Sequence, residues 1–129
     1  VKEPHFLERA TVLQLHRQSL LRFGGSEGIR EDGLIDSALG AAMNAYFYGK
    51  GDFSDIAATY AFHIAQAQAF LDGNKRTAVS TALVFLEYNG VLKTPSNLEL
   101  YEAMIAIAEK RLDKAGLAEL FRHAAVSAS

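Results

Sequence analysis

The sequence predicts an all-α fold, a single compact bundle of about six helices spanning residues 1–129. Three observations carry this. Apolar residues recur at three- and four-residue spacing through most of the chain, no segment alternates apolar and polar residues over a useful length, and glycine, proline or Asx residues punctuate the periodic stretches. At most a short extended piece is expected, near residues 91–93.

Residues 6–23 set Phe6, Ala10, Val12, Leu13, Leu20 and Leu21 among charges, the pattern of an amphipathic helix packed on one side and ended by Gly24-Gly25. Residues 32 to 45 repeat it with Leu34, Ile35, Ala38, Leu39 and Ala42, and Asp32 or Gly33 stands at the start. The run Tyr46-Phe47-Tyr48-Gly49-Lys50-Gly51-Asp52-Phe53 then reads as an aromatic, glycine-punctuated, flexible connection. Two strongly apolar stretches follow, IAATYAFHIAQA from Ile56 and TAVSTALVFL from Thr77, each expected as a helix buried on most faces. Asn89-Gly90 ends the second by supplying a residue that tolerates positive φ. Thr94-Pro95-Ser96-Asn97 opens another helix, with Leu98, Tyr101, Ile105, Ala108 and Leu112 as its expected inward face. Residues 113 to 125 supply the last, with Leu117, Leu120 and Phe121 inward.

The composition narrows the function classes. A chain of 129 residues is one domain, with no linker tract, low-complexity run or repeat. No run reaches the ~18 consecutive apolar residues of a membrane span, and Val1-Lys2-Glu3-Pro4 has no signal-peptide character, so a cytoplasmic location is expected. The absence of cysteine removes disulfides, thiolate zinc sites and thiol nucleophiles. His5, His16, His63 and His123 form no pair at metal-ligand spacing. A net charge of −2 argues against a nucleic-acid groove. His16 and His63 read first as satisfied core or boundary residues.

Between the two apolar helices lies Phe70-Leu71-Asp72-Gly73-Asn74-Lys75-Arg76. It combines a hydrophobic anchor, a carboxylate, turn and N-cap residues, and two cations. The N–H groups that open the following helix have no intrahelical partners, so with Lys75 and Arg76 they offer donors and positive potential to a phosphate chain. Cations in a first turn oppose the helix dipole, and a bound anion removes that conflict.

This stretch resembles the signature of the Fic/Doc family, His-Pro-Phe-x-(Asp/Glu)-(Gly/Ala)-Asn-(Gly/Lys)-Arg, most closely its death-on-curing (Doc) toxin branch. Phe70, Asp72, Gly73, Asn74, Lys75 and Arg76 match it in order. The resemblance runs from Leu15-His16 and Phe23-Gly24-Gly25 through Gly28-Ile29-Arg30 to the segment from Val84 to Gly90. It implies phosphate binding by Phe70, Gly73, Asn74, Lys75 and Arg76, with Asn74 facing the phosphates, Mg²⁺ on Asp72, and catalytic roles for Asp72, Lys75, Arg76 and position 68. The family's catalytic histidine stands two residues before the phenylalanine, and here that position is Gln68, followed by Ala69 instead of proline. Glutamine can orient a hydroxyl but cannot accept its proton at neutral pH. His63 lies about 140° around an ideal helix from position 68 and does not replace the base. The aromatic run corresponds to the family's target-aligning flap, with Tyr46, Phe47, Tyr48 and Phe53 as candidate contacts, or else to an ordinary connection folded onto the core.

Two classes of function follow from the resemblance. One is an ATP- and Mg²⁺-dependent toxin that transfers a phosphoryl group, or alternatively AMP, to a protein hydroxyl, with elongation factor Tu as the target class and activity weakened or abolished by Gln68. In AMP-transferring relatives a glycine stands at the position of Lys75; a lysine there crowds the loop and favours phosphoryl transfer. The other is a non-catalytic nucleotide- or partner-binding domain. The family's inhibitory motif, (Ser/Thr)-x-x-x-Glu-(Gly/Asn), does not occur in the sequence, so restraint is expected from a separate Phd-like antitoxin peptide.

Overall fold

The computed structural model describes residues 3–126. Six helices follow one another: α1 (Arg9–Phe23), α2 (Gly33–Phe47), α3 (Phe53–Ala67), α4 (Asn74–Tyr88), α5 (Asn97–Ala108) and α6 (Lys114–Val126). The fold is all-α, as the periodicity predicts. Extended pairing among the described residues is an isolated antiparallel bridge between Ile29 and Phe70, not a piece near residue 91.

α3 is the hub and packs on α2, α4, α5 and α6, while α1 lies across α4 and α2. Small residues make this possible: Ala57, Ala58, Ala61, Ala78 and Ala82 are fully buried, so α3 and α4 approach closely, and Tyr60, Phe85 and Leu86 fill the space around them. A reciprocal capping box starts α3, in which Asp52 accepts from the Asp55 N–H and Asp55 from the Asp52 N–H. Ser96 and Glu99 do the same for α5.

Several boundaries and faces differ from the sequence pattern. α1 begins at Arg9, not Phe6, because the Leu7 N–H donates to the Tyr60 hydroxyl at 3.0 Å and the His5 N–H to Asn89 Oδ1 at 2.8 Å, which holds the preceding residues off the helical path. The inward side of α1 runs through Val12, His16, Ser19 and Leu20, leaving Leu21 exposed. Asp32 makes no cap bond to α2, since its carboxylate pairs with Arg9. α5 buries Leu100, Ala103, Met104 and Ile107 and exposes Leu98 and Tyr101. Its sequence carries two overlapping apolar stripes, and packing on α3 selects the second.

Candidate anion site at the start of α4

α3 ends at Gln68, which adopts left-handed backbone angles (φ 52°, ψ 51°) and reverses the chain. A non-glycine residue there is strained by roughly 1 kcal/mol, so the surroundings must hold it. Arg30 does: its guanidinium donates to the carbonyls of Gln68 (2.7 and 2.9 Å) and Ala67 (3.1 Å), placing a cation on the negative end of α3. The backbone N–H groups of Arg30 and Glu31 donate to the Ala69 carbonyl, and that of Leu71 to the Gly28 carbonyl. Residues 28–31 thus form a splint along 67–71. The Gln68 side chain remains exposed at the rim.

Phe70 is buried, and its ring stacks on the His16 imidazole with centroids 3.7 Å apart and planes 11° from parallel. The Asn74 side chain accepts from the Phe70 N–H (3.1 Å) and donates to the Phe70 carbonyl (3.0 Å), closing residues 70–74 into a ring. That side chain therefore bonds within the loop, and the Asn74 backbone N–H is left without an intrahelical partner. Gly73 has φ 77°, a conformation that an L side chain resists. Asp72 accepts from its neighbour Gly73 N–H (2.9 Å) and from the Ser26 N–H (3.3 Å). Gly25 allows that approach, since a Cβ there would lie 2.8 Å from Asp72 Oδ2.

α4 starts from this ring. Its first N–H groups, from Asn74, Lys75 and Arg76, lack intrahelical acceptors, and no side chain caps them. They border an open cavity of about 820 Å³, walled by the loop, the ends of α1 and α3, α4 and α5. Arg22, Lys75 and Arg76 line it, against the single carboxylate of Asp72. The Arg76 guanidinium rests 4.6 Å from the centre of the exposed Phe23 ring, which steers it to the mouth without neutralising it. Val79, Leu83, Leu100 and Met104 make the far wall apolar. The cavity has the polarity of a site for an anion attached to a less polar body.

Gln68, Asp72, Gly73, Asn74, Lys75 and Arg76 all face this cavity, while Phe70 supports it from behind. His63 does not line it; its Nε2 lies 3.5 Å from Lys114 Nζ, and burial followed by the lysine charge lowers its pKa. The aromatic run is more regular than its glycines suggest. Tyr46 and Phe47 belong to α2 and pack on Phe6, Phe53 opens α3 edge-on to Phe85, and Tyr48 projects into solvent. None of the four lines the cavity. The connecting backbone is bonded to the carbonyls of Asn44, Ala45 and Tyr46, so it is a tied turn. His16, Arg30, Arg22 and Phe23 are contributions that residue patterns did not assign; their neighbours are distant in sequence.

The sequence model of the Fic/DOC family matches residues 6–86. A protein of Escherichia phage P1, "Protein kinase doc", is 30% identical over 112 residues, 86% of this chain and 88% of that one. "Toxin Doc" of Mycolicibacterium smegmatis is 38% identical over 89 residues, 67% of this chain and 65% of that one. The chain belongs to the Fic/Doc family. It falls in the Doc toxin branch, and the family match spans the loop between α3 and α4.

Proposed function

We propose that the chain, acting as one Fic/Doc domain, is a Doc-like toxin of a toxin–antitoxin module that binds ATP and transfers its γ-phosphoryl group to a protein hydroxyl, slowly because Gln68 stands in place of the base. The observation that supports this best is the convergence of free α4 N–H groups, Arg22, Lys75 and Arg76 on one cavity with an apolar far wall. The relative in phage P1 is named a protein kinase, which favours phosphoryl transfer. Lys75 points the same way, because its bulk and charge at the loop discourage a triphosphate from running inward past it, and the γ-phosphate then faces Gln68.

In this reading the target hydroxyl oxygen bonds to the γ-phosphorus as the bond from that phosphorus to the β,γ-bridging oxygen breaks, and ADP departs. Arg76, Lys75 and the α4 N–H groups hold the phosphates and offset the developing charge. Gln68 can orient the hydroxyl, but its proton leaves to water. The residues present fit a Mg²⁺ ion only as a companion of the nucleotide: Asp72 retains free lone pairs after accepting two N–H groups, and no trio of His, Asp or Glu gathers among the described residues. When bound, the ion would neutralise phosphate charge. The proposed target is elongation factor Tu, the proposed flap residues are Tyr46, Phe47, Tyr48 and Phe53, and the proposed restraint is a Phd-like antitoxin peptide, all in the cytoplasm.

The missing base favours a second reading, a non-catalytic nucleotide- or partner-binding domain. Restoring the base separates the two. With γ-labelled ATP and elongation factor Tu, Gln68→His should raise transfer by roughly 10²- to 10⁴-fold and arrest growth on expression. A Gln68→His variant that binds ATP yet stays as inactive and harmless as the parent supports the non-catalytic reading.

A further inference from the structure

We infer that His16 is a positioning residue for the anion loop, the internal template on which residues 70–73 are wound. It belongs to α1, far from the loop in sequence, and is 6% exposed. Three features of the loop meet one imidazole. Its face carries the Phe70 ring at 3.7 Å. Its Nε2 lies 2.8 Å from the Asp72 carbonyl oxygen, and because a carbonyl only accepts, this nitrogen carries the proton. Gly73 passes over its edge, where a Cβ would lie 3.6 Å from His16 Cδ2.

The stack fixes the first residue of the loop and the hydrogen bond fixes the third. Asn74 already ties Phe70 to the start of α4, so locating Phe70 and Asp72 relative to α1 locates the α4 N–H groups too. Only a flat ring with an N–H on its rim does both: phenylalanine keeps the stack without the donor, and glutamine keeps a donor without the stack. The same helix ends at Arg22 and Phe23 on the cavity, so His16 also sets the loop's distance from those side chains.

The inference rests on the reading of the loop as a phosphate site, and two measurements keep them apart. In the anion-free chain, the amides of Phe70, Leu71, Gly73 and Thr77 are internally bonded, and their ¹H–¹⁵N shifts and hydrogen exchange report the loop directly. We expect His16→Phe to speed their exchange and move their shifts, while Val12→Ala, a core change on the same helix, leaves them in place at comparable loss of thermal stability. In calorimetry with Mg²⁺ and ATP, His16→Phe should lose about fivefold to tenfold in affinity, the scale of one hydrogen bond, and Val12→Ala should lose none. Loop amides unchanged in His16→Phe, or altered equally by Val12→Ala, would overturn the positioning role. A parent chain that binds no ATP would refute the phosphate reading alone, with the exchange data still deciding the role of His16.

Discussion

At the residue scale, the loop is a set of substitutions with distinct expected costs. Asn74→Ala removes both bonds that close the ring and leaves a part-buried Phe70 peptide unpaired, a loss of about 1–3 kcal/mol by denaturant unfolding. Gly73→Ala must place a side chain at φ 77°, costing about 1 kcal/mol, although its Cβ would meet only ordinary contacts with Leu20 and His16. In the proposed reading Lys75 decides which group moves. With Gln68→His restored and ATP labelled separately at the α- and γ-phosphates, label should reach the target from γ; retention from α contradicts the kinase reading, and Lys75→Gly should shift transfer towards α if crowding is the cause. The residue types of this loop were legible because turn, cap and cation chemistry stand side by side in sequence. The destination of the Asn74 side chain was not, since a phosphate and the Phe70 peptide suit the same amide equally well.

At the scale of elements, the start of α3 shows how a local motif becomes a long-range one. Arg122 of α6 binds Asp52 and Asp55 of the capping box at 2.8 Å each, and also pairs with Glu119. The Arg122 hydrogen bonds, aided by those from Asp55, bring the Asp52 carboxyl down to about 2. A carboxyl whose folded pKa lies below its unfolded value of 3.8 adds stability that is complete above that value and is lost as pH falls towards 2. The Asp52 side chain is half exposed, so screening limits this to about 1 kcal/mol. Unfolding measured from pH 6 to pH 2 should therefore fall less steeply in Arg122→Met than in the parent over that window, and parallel curves would contradict the assignment. At the other end of α3, Arg30→Ala should free the Gln68 and Ala67 carbonyls, relax the left-handed turn and lower stability by roughly 1–2 kcal/mol. Capping residues were visible in the sequence. The choice between the apolar stripes of α5, and the course of α1 through His16 and Ser19, depended on what each helix packs against.

At the scale of the whole molecule, the fold was legible because six periodic stretches separated by glycine, proline and Asx residues leave few alternatives to an α bundle. The burial of α3 and α4 on most faces was legible too, in their uncharged apolar runs, but that α3 is the hub was not. Nor was the cavity, because its walls come from α1, α3, the loop, α4 and α5, which only tertiary packing brings together. Close approach of α3 and α4 through alanine should make Ala61→Leu costly, by about 1–3 kcal/mol, through overpacking against a fully packed neighbour. That packing fixes where α4 begins, and with it the direction in which its free N–H groups and Arg76 face. The proposed hold of this start of α4 on the phosphates of ATP is open to calorimetry with Mg²⁺ and ATP on the parent chain and Arg76→Ala. We expect measurable binding to the parent and a loss of roughly tenfold or more in Arg76→Ala, the scale of a hydrogen bond to a charged group. Binding that is absent in the parent, or of equal strength in both proteins, would contradict it.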